Sequence, residues 1–454
     1  MATALIILAA GQGTRMNSDL PKVLHPLAGV PLIQHAIDSG AAVSPERTIV
    51  VTGHGADQVE AAVAKIDDTI TCVRQEEQLG TGHAVLQARA ALDGFTGDAI
   101  VLYGDTPFIG QDTIEALTAA RAQHDVVVLG FEAADPARYG RLVVEGDQLT
   151  QIVEYKDATE DQRAITLCNS GVMAADAGVL FDLLDGLGND NASGEYYLTD
   201  AVAIARARGL SAGTVTCPEA ETLGINSRAE LARAEAVFQA AKRAEAMDNG
   251  VTMYAPDTVF FAHDTYVGRD SVIEQNVIFG PGVTVESGVK IRAFSHLEGC
   301  HVSRGATVGP FARLRPGAEL AEDVHIGNFV EIKNAVIDEG AKVNHLSYIG
   351  DAHVGEATNI GAGTITCNYD GVFKHHTEIG ARAFIGSNTM LVAPVRVGDE
   401  AMTGSGSVIT TDVPDGAIGI ARARQSNKEG LARRLFASLR AAKAAKAAKN
   451  KETN

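Results

Sequence analysis

Two glycines and two cations stand close together in Leu8-Ala9-Ala10-Gly11-Gln12-Gly13-Thr14-Arg15-Met16, with Leu20-Pro21-Lys22 just beyond. Glycines let a backbone approach a phosphate until its N–H groups donate to the oxygens. Arg15 offers a planar fork and Lys22 a point charge. Met16 occupies the place of the third glycine of a dinucleotide fingerprint, and no Gly-Lys-Ser/Thr follows, so neither a Rossmann fingerprint nor a Walker loop is present. By spacing alone the segment suits a glycine turn with two surface cations equally well. In Val101-Leu102-Tyr103-Gly104-Asp105-Thr106-Pro107 a carboxylate follows an apolar run. That place suits a Mg²⁺ ligand, because Mg²⁺ on phosphates takes one or two protein carboxyls. It also suits a cap or turn ahead of residue 112. Asn226 is a third candidate, and it adjoins the capping box Ser227-Arg228-Ala229-Glu230.

The second half has its own chemistry. His345 lies in Asn344-His345-Leu346-Ser347-Tyr348-Ile349-Gly350-Asp351. Imidazole is the natural base for taking a proton from an amine near neutral pH, and Glu331 could orient it. Arg313, Arg315 and Lys333 suit a sugar phosphate or a solvated face. The stretch from Gly361 to Gly371, GAGTITCNYDG, reads as a protruding loop.

Residues 1–226 alternate short apolar runs with amphipathic stretches. Runs at 4–8, 48–52, 99–103 and 126–131 predict strands, with helical patterns between them. That alternation predicts an α/β layer with a largely parallel sheet, whose ligands bind beyond the strands' carboxyl ends. Residues 227–248 predict one linker helix, capped at Ser227, with Leu231, Val237, Phe238 and Ala241 on its apolar face. From 249 to 454 apolar residues recur every six positions. They run Phe261, Val267, Ile273, Phe279, Val285, Ile291, Leu297, then Val302, Val308, Leu314, Leu320, Ile326, Ile332, with shorter series to Val397. Glycine follows many of them, as at Gly309, Gly327, Gly361 and Gly386, which suggests a part in the corners. A period of six is the hexapeptide repeat of a parallel β-helix, three repeats to a coil.

Composition sets the frame. The chain has 454 residues and a formal charge of −19, from 38 basic and 57 acidic residues, which disfavours a nucleic-acid partner. Glycine accounts for 47 residues and Trp for none, as a solenoid filled with small aliphatics would require. Five cysteines without CxxC spacing fit neither a disulfide framework nor structural zinc, and point to a reduced, cytoplasmic setting. The apolar stretch 5–10 is too short to span a membrane and lacks signal-peptide flanks, so no membrane insertion is expected. From Arg422 onward ten cationic residues face two acidic ones in a helical or frayed tail.

LAAGQGTRM with LPK, Gln75 with Leu79-Gly80-Thr81-Gly82, YGDTP, Tyr139-Gly140-Arg141, IVEYKD and Asn169-Ser170-Gly171 occur in one order. That set resembles the nucleotidyltransferases that make nucleotide sugars. FARLRPG, NFVEIKN, NHLSYIGD and GAGTITCNYDG resemble the hexapeptide acyltransferases, and the two halves together resemble a bifunctional family of bacterial cell-envelope synthesis. The resemblance implies a Rossmann-like nucleotide-diphospho-sugar transferase domain, a linker helix and a left-handed parallel β-helix. It implies acetylation of glucosamine 1-phosphate by acetyl-CoA, then uridylyl transfer from UTP to N-acetylglucosamine 1-phosphate. For the nucleotide site it implies Leu8, Ala9, Ala10, Gly11, Arg15, Lys22, Gln75, Gly80, Thr81, Tyr103, Gly104, Asp105, Gly140, Glu154, Asn169 and Asn226, with Mg²⁺ on Asp105 and Asn226. For the second site it implies His345 as base and Arg315, Lys333, Tyr348 and Asn359 on the sugar phosphate. Asn368 and Tyr369 fall at the acetyl end, and Ala362, Ser387, Ser405 and Arg422 along the CoA. It also implies a homotrimer through the β-helix. Ser405 stands where a small apolar residue is expected.

Overall fold

The computed structural model describes residues 2–452, which form two compact units divided after Thr284. In the first unit, seven strands run in the spatial order Ala212–Cys217, Val126–Glu132, Leu167–Asp176, Asp98–Tyr103, Thr3–Ala9, Arg47–Thr52, Thr71–Arg74. All are parallel except Leu167–Asp176, which opposes both neighbours. The strands expected at 4–8, 48–52, 99–103 and 126–131 are all present and slightly longer. Thr3–Ala9 is buried throughout; Ala4, Ile6 and Leu8 enter one core and Leu5, Ile7 and Ala9 the other. Burial on both faces is why this strand reads as an unbroken apolar run. A hairpin, Arg141–Glu145 with Gln148–Val153, joins the sheet through Cys168.

The helix Arg228–Asp248 follows, with the Ser227 hydroxyl accepting from the Glu230 N–H at 3.3 Å. Its buried face differs from the apolar pattern. Val237 is exposed, whereas Ala234 and Gln239 are buried. Gln239 is accepted in the interior because its amide exchanges both hydrogen bonds with the Phe261 backbone, at 2.7 and 2.8 Å. The helix thus clamps the first turn of the repeat region.

The second unit is a stack of coils of short parallel strands, a left-handed β-helix. Partners one coil apart are 17 or 18 residues apart in sequence, as in Arg313 with Glu331 and Glu331 with Tyr348. One coil is longer: Ile365 partners Met390 because residues 368–375 protrude, closed by a Tyr369–Lys374 bridge. The loop expected at 361–371 is thus displaced, since Ile365–Cys367 pairs with the next coil and only the residues from 368 onward leave the stack. Every residue of the six-residue series is buried.

The glycines that follow them do not turn the corners, Gly309 excepted. Left-handed corners are filled instead by residues such as Phe294, Phe311, Asp323, Phe329, Asn334, Leu346 and Asp351. The repeat glycines serve close stacking: a Cβ at Gly327 would lie 2.0 Å from the Asn344 carbonyl oxygen one coil away. A helix, Leu431–Glu452, ends the described residues. Among those residues no helix is long and apolar enough to cross a membrane.

Candidate active sites

The first site lies where Thr3–Ala9 and Asp98–Tyr103 end. Leu8, Ala9, Ala10, Gly11, Lys22, Gln75, Gly80, Thr81, Tyr103 and Asp105 wall one cavity of about 280 Å³. Lys22 Nζ donates to Asp105 Oδ2 and, at 3.1 Å, to Asn226 Oδ1. One ammonium therefore draws together a carboxylate and an amide 121 positions apart in sequence. The capping box contributes directly, since the Glu230 carboxylate accepts from the Asn226 N–H at 2.7 Å. Cap and site residue thus belong to one device. Gly104 N–H bonds to the Leu8 carbonyl, tying the two strand ends together.

Further along the cleft, Tyr103 links two groups of residues. Burial, with Asp105 and Glu154 nearby, holds its phenol well above the usual range. Gly171, at φ 92°, passes beneath its ring; a Cβ there would lie 2.7 Å from Tyr103 Cε2. Asn169 Oδ1 accepts from the Gly171 N–H at 3.0 Å, and Asn169 N–H donates to the Gly140 carbonyl. A Cβ on Gly140 would face Glu154 Oε1 at 3.3 Å. Burial raises the Glu154 carboxyl above the ordinary value, reinforced by Asp157 and Asp200. Arg15 lies apart from the cavity wall, exposed in the tight turn Thr14–Met16. Four wall residues escaped the sequence reading: the apolar Val23 and Ala84, and the polar Gln78 and Glu195. Gln78 donates to the Ala10 carbonyl at 2.8 Å and braces the glycine loop, and Glu195 lies beside Gly80. Their types carry no signal; only the fold brings them there.

The second site is built on neighbouring coils. His345 and Asn328 are register partners, and His345 Nδ1 lies 2.9 Å from Asn328 Oδ1. Glu331, expected beside His345, pairs instead with Arg315 at 2.8 Å. The reason is register: Glu331 aligns with Tyr348 on the next face, beyond the corner at Leu346. That bond raises the Arg315 guanidinium further above its already high value. Lys333 Nζ meets Asp351 Oδ1 at 2.8 Å, and the hydrogen bond holds the ammonium in its charged form to higher pH. Asn368 Nδ2 bonds to Asp351 Oδ2 and reaches the Tyr348 hydroxyl at 3.4 Å. Tyr369, on the protruding loop, is exposed and donates to the Gly371 carbonyl. Asn359 pairs with Lys342 and Phe384, on the face that precedes this corner.

Ala362, Ser387, Ser405 and Arg422 fall in one column that starts at His345. Backbone bonds carry it from coil to coil: Gly363 N–H to His345 O, Asn388 N–H to Ala362 O, and Gly406 N–H to Ser387 O. Arg422 Nη1 then donates to the Ser405 carbonyl at 2.6 Å, so Ser405 takes part through its backbone. Asn328, Asp351 and Lys374 were given no role in the sequence reading, although Asn328 and Asp351 lie within its motifs. The 17-residue spacing of Asn328 from His345 and of Asp351 from Asn368 could have found the first two.

A phosphate-loop α/β domain followed by a hexapeptide β-helix with an outward histidine defines a sugar-nucleotide transferase joined to an acyltransferase. Residues 5–167 match the MobA-like NTP transferase domain, and residues 376–411 match the bacterial transferase hexapeptide repeats. Three similar relatives carry the name bifunctional protein GlmU. One from Ruegeria sp. (strain TM1040) is 71% identical over 98% of this chain and all of its own length. Those from Dinoroseobacter shibae and Paracoccus denitrificans are 69% and 68% identical, over 99% and 96% of this chain and 100% and 98% of theirs. The chain belongs to the GlmU family, and is a bifunctional uridylyltransferase and acetyltransferase of UDP-N-acetylglucosamine synthesis.

Proposed function

We propose that residues 1–226 and 249–454 divide the two reactions, and that the residues named above carry them. In the second domain, the Asn328 side-chain oxygen Oδ1 accepts from His345 Nδ1–H, which leaves Nε2 with its lone pair outward. His345 takes a proton from the ammonium-derived amine of glucosamine 1-phosphate as its nitrogen attacks the thioester carbonyl of acetyl-CoA. The C–S bond breaks, and the thiolate leaves with the proton His345 returns. Arg315, Lys333 and Tyr348 bind the sugar phosphate; Asn359 stands at the entry side of the same corner. Asn368 and Tyr369 flank the acetyl group, and the column from Ala362 to Arg422 carries the CoA.

In the first domain, a 1-phosphate oxygen of N-acetylglucosamine 1-phosphate attacks the α-phosphorus of UTP, and the bond to pyrophosphate breaks in line. Such transfer depends on positioning and charge neutralisation. Lys22 holds phosphate oxygens beside the glycine loop, and Arg15, on the exposed turn of that loop, supplies a second positive charge. Gly140, Glu154 and Asn169 hold the sugar. The oxygens of Asp105 and Asn226 suit Mg²⁺, since the Lys22 ammonium already holds a cation's place between them. Bound there, Mg²⁺ supplies further charge neutralisation for the phosphates. This bridged pair is the observation that carries the nucleotide half of the reading.

The exposed corner of the solenoid supports association of the β-helix, here read as a homotrimer. Phe294, Phe311 and Phe329 stack at 4.9 and 5.2 Å, each about half exposed, a ladder that association would bury. Five unpaired cysteines support a cytoplasmic location. The test supplies acetyl-CoA, glucosamine 1-phosphate, UTP and Mg²⁺, and follows CoA thiol and pyrophosphate separately. Both products are expected. His345→Ala should abolish thiol release alone when N-acetylglucosamine 1-phosphate is supplied, and chelation of Mg²⁺ should abolish pyrophosphate release alone. Pyrophosphate without thiol from the unsubstituted protein would instead identify a nucleotidyltransferase with a purely structural β-helix.

A further inference from the structure

Asp351 is the most embedded charge in the second site, and neither binding nor catalysis as described uses it. It occupies a left-handed corner at φ 48°, 7% exposed. The same left-handed corner of successive coils is occupied by Gly299, Gly317, Asn334 and Asp351, and Asn368 opens the protruding loop 17 residues further on. The column changes from glycine to polar residues beside Lys333. A carboxylate this buried is costly unless its oxygens are fully used. Here they are: Oδ1 accepts from Lys333 Nζ at 2.8 Å and Asn334 Nδ2 at 2.7 Å, and Oδ2 accepts from Asn368 Nδ2. Stacking alone would be served by another amide, as Asn334 in the same column demonstrates.

We infer that Asp351 is a positioning residue of the acetyl-transfer site, fixing Lys333 and Asn368 at the separation that a phosphorylated amino sugar requires. The inference rests on the acetyltransferase reading of this domain. Lys333 is a flexible stem with a point charge, and an unpinned lysine must be ordered again by each substrate molecule. Asp351 holds it in place beforehand. The same carboxylate reaches Tyr348 through Asn368. The other charged groups facing Lys333 are Lys374 on the protruding loop, Tyr348 and, through Glu331, Arg315. Lys374 repels Lys333, so the anion also keeps two ammonium groups on one side of the pocket. Burial opposes ionisation of Asp351, but the bonds from Lys333, Asn334 and Asn368 outweigh it and hold the carboxyl below its ordinary range.

The test is steady-state acetylation by the full chain, with pyrophosphate release from the same sample as the check on folding. Asp351→Asn should raise the KM for glucosamine 1-phosphate about tenfold with kcat within about threefold, as expected for one charge-assisted hydrogen bond. In a Lys333→Ala background the same substitution should add nothing to KM, because the two act as one unit. Asn334→Ala, which removes a rung but leaves the carboxylate on Lys333, should change KM by less than about threefold. Should D351N also lose pyrophosphate release, Asp351→Ser, with a small hydroxyl acceptor, replaces it in the same comparisons. An unchanged KM in D351N, additive effects of D351N and K333A, or an N334A variant matching D351N would each overturn the inference. Absence of CoA release by the unsubstituted protein would overturn the acetyltransferase reading and this inference with it.

Discussion

Removing the Asn328 amide tests the assignment of His345 more finely than removing the imidazole. The pair is 2.9 Å apart across two coils, and it faces solvent. A neutral hydrogen bond contributes about 0.5–1.5 kcal/mol net, and solvent exposure places this one in the lower half. We predict that Asn328→Ala lowers kcat for acetyl transfer about two- to fivefold, through lost orientation and a mixed tautomer. His345→Ala removes the base itself, a loss of about 10²–10⁴. Asn328→Asp makes a second, directional test. A carboxylate about 3–4 Å from imidazole favours the imidazolium by at least about 1 kcal/mol even in water. The acid limb of the pH–rate profile should therefore move up by at least about 0.7 pH unit. Thiol release measured from pH 5.5 to 9, with pyrophosphate release as control, reads both effects. An acid limb that stays put or moves down in N328D, or an unaltered rate in N328A, would refute the role given to this pair.

Two further predictions concern stability. Gly327→Ala places a Cβ against the Asn344 carbonyl, and overpacking of this kind costs about 1–3 kcal/mol; the midpoint of thermal unfolding should fall and acetylation fail with it, whereas an unshifted midpoint would show that coils can part there. His35 is 4% exposed, and burial first, with His263 adding, lowers its pKa below the usual 6.5. The unfolded chain then binds the extra proton more readily, so His35 contributes its full stability above about pH 6.5 and loses it progressively as pH falls. Urea unfolding at pH 7.5 and 5.5 should show this loss and His35→Gln should reduce it; parallel curves would rule it out.

Much of the architecture was legible because it rests on periodicity. Apolar residues every six positions can be satisfied only by pointing inward along a coil, and all of them do. Strand Thr3–Ala9 announced itself as an unbroken apolar run because it is covered on both faces. The glycines were legible in place but not in purpose. Sequence suggests corners, whereas the coils stack so closely that the next carbonyl leaves no room for a Cβ at Gly327, Gly361 or Gly386. The linker helix was likewise found, but its buried face was not, since nothing local reveals that Gln239 will be satisfied by the Phe261 backbone.

Residue types and local spacing were enough to nominate the phosphate loop, Asp105, His345 and the cations, because their chemistry is intrinsic to the side chains. Tertiary structure decided their partners. It gave Asn226 to Lys22, Glu331 to Arg315 and Asn328 to His345. It also set Arg15 away from the cavity wall and brought Gln78 and Glu195 into it. Such pairings depend on which residues coil register and strand order bring within about 3 Å, and a hydrogen bond weakens steeply beyond that distance. Local patterns carry periodicity and chemical type; contact across 17 or 121 positions exists only once the chain has folded.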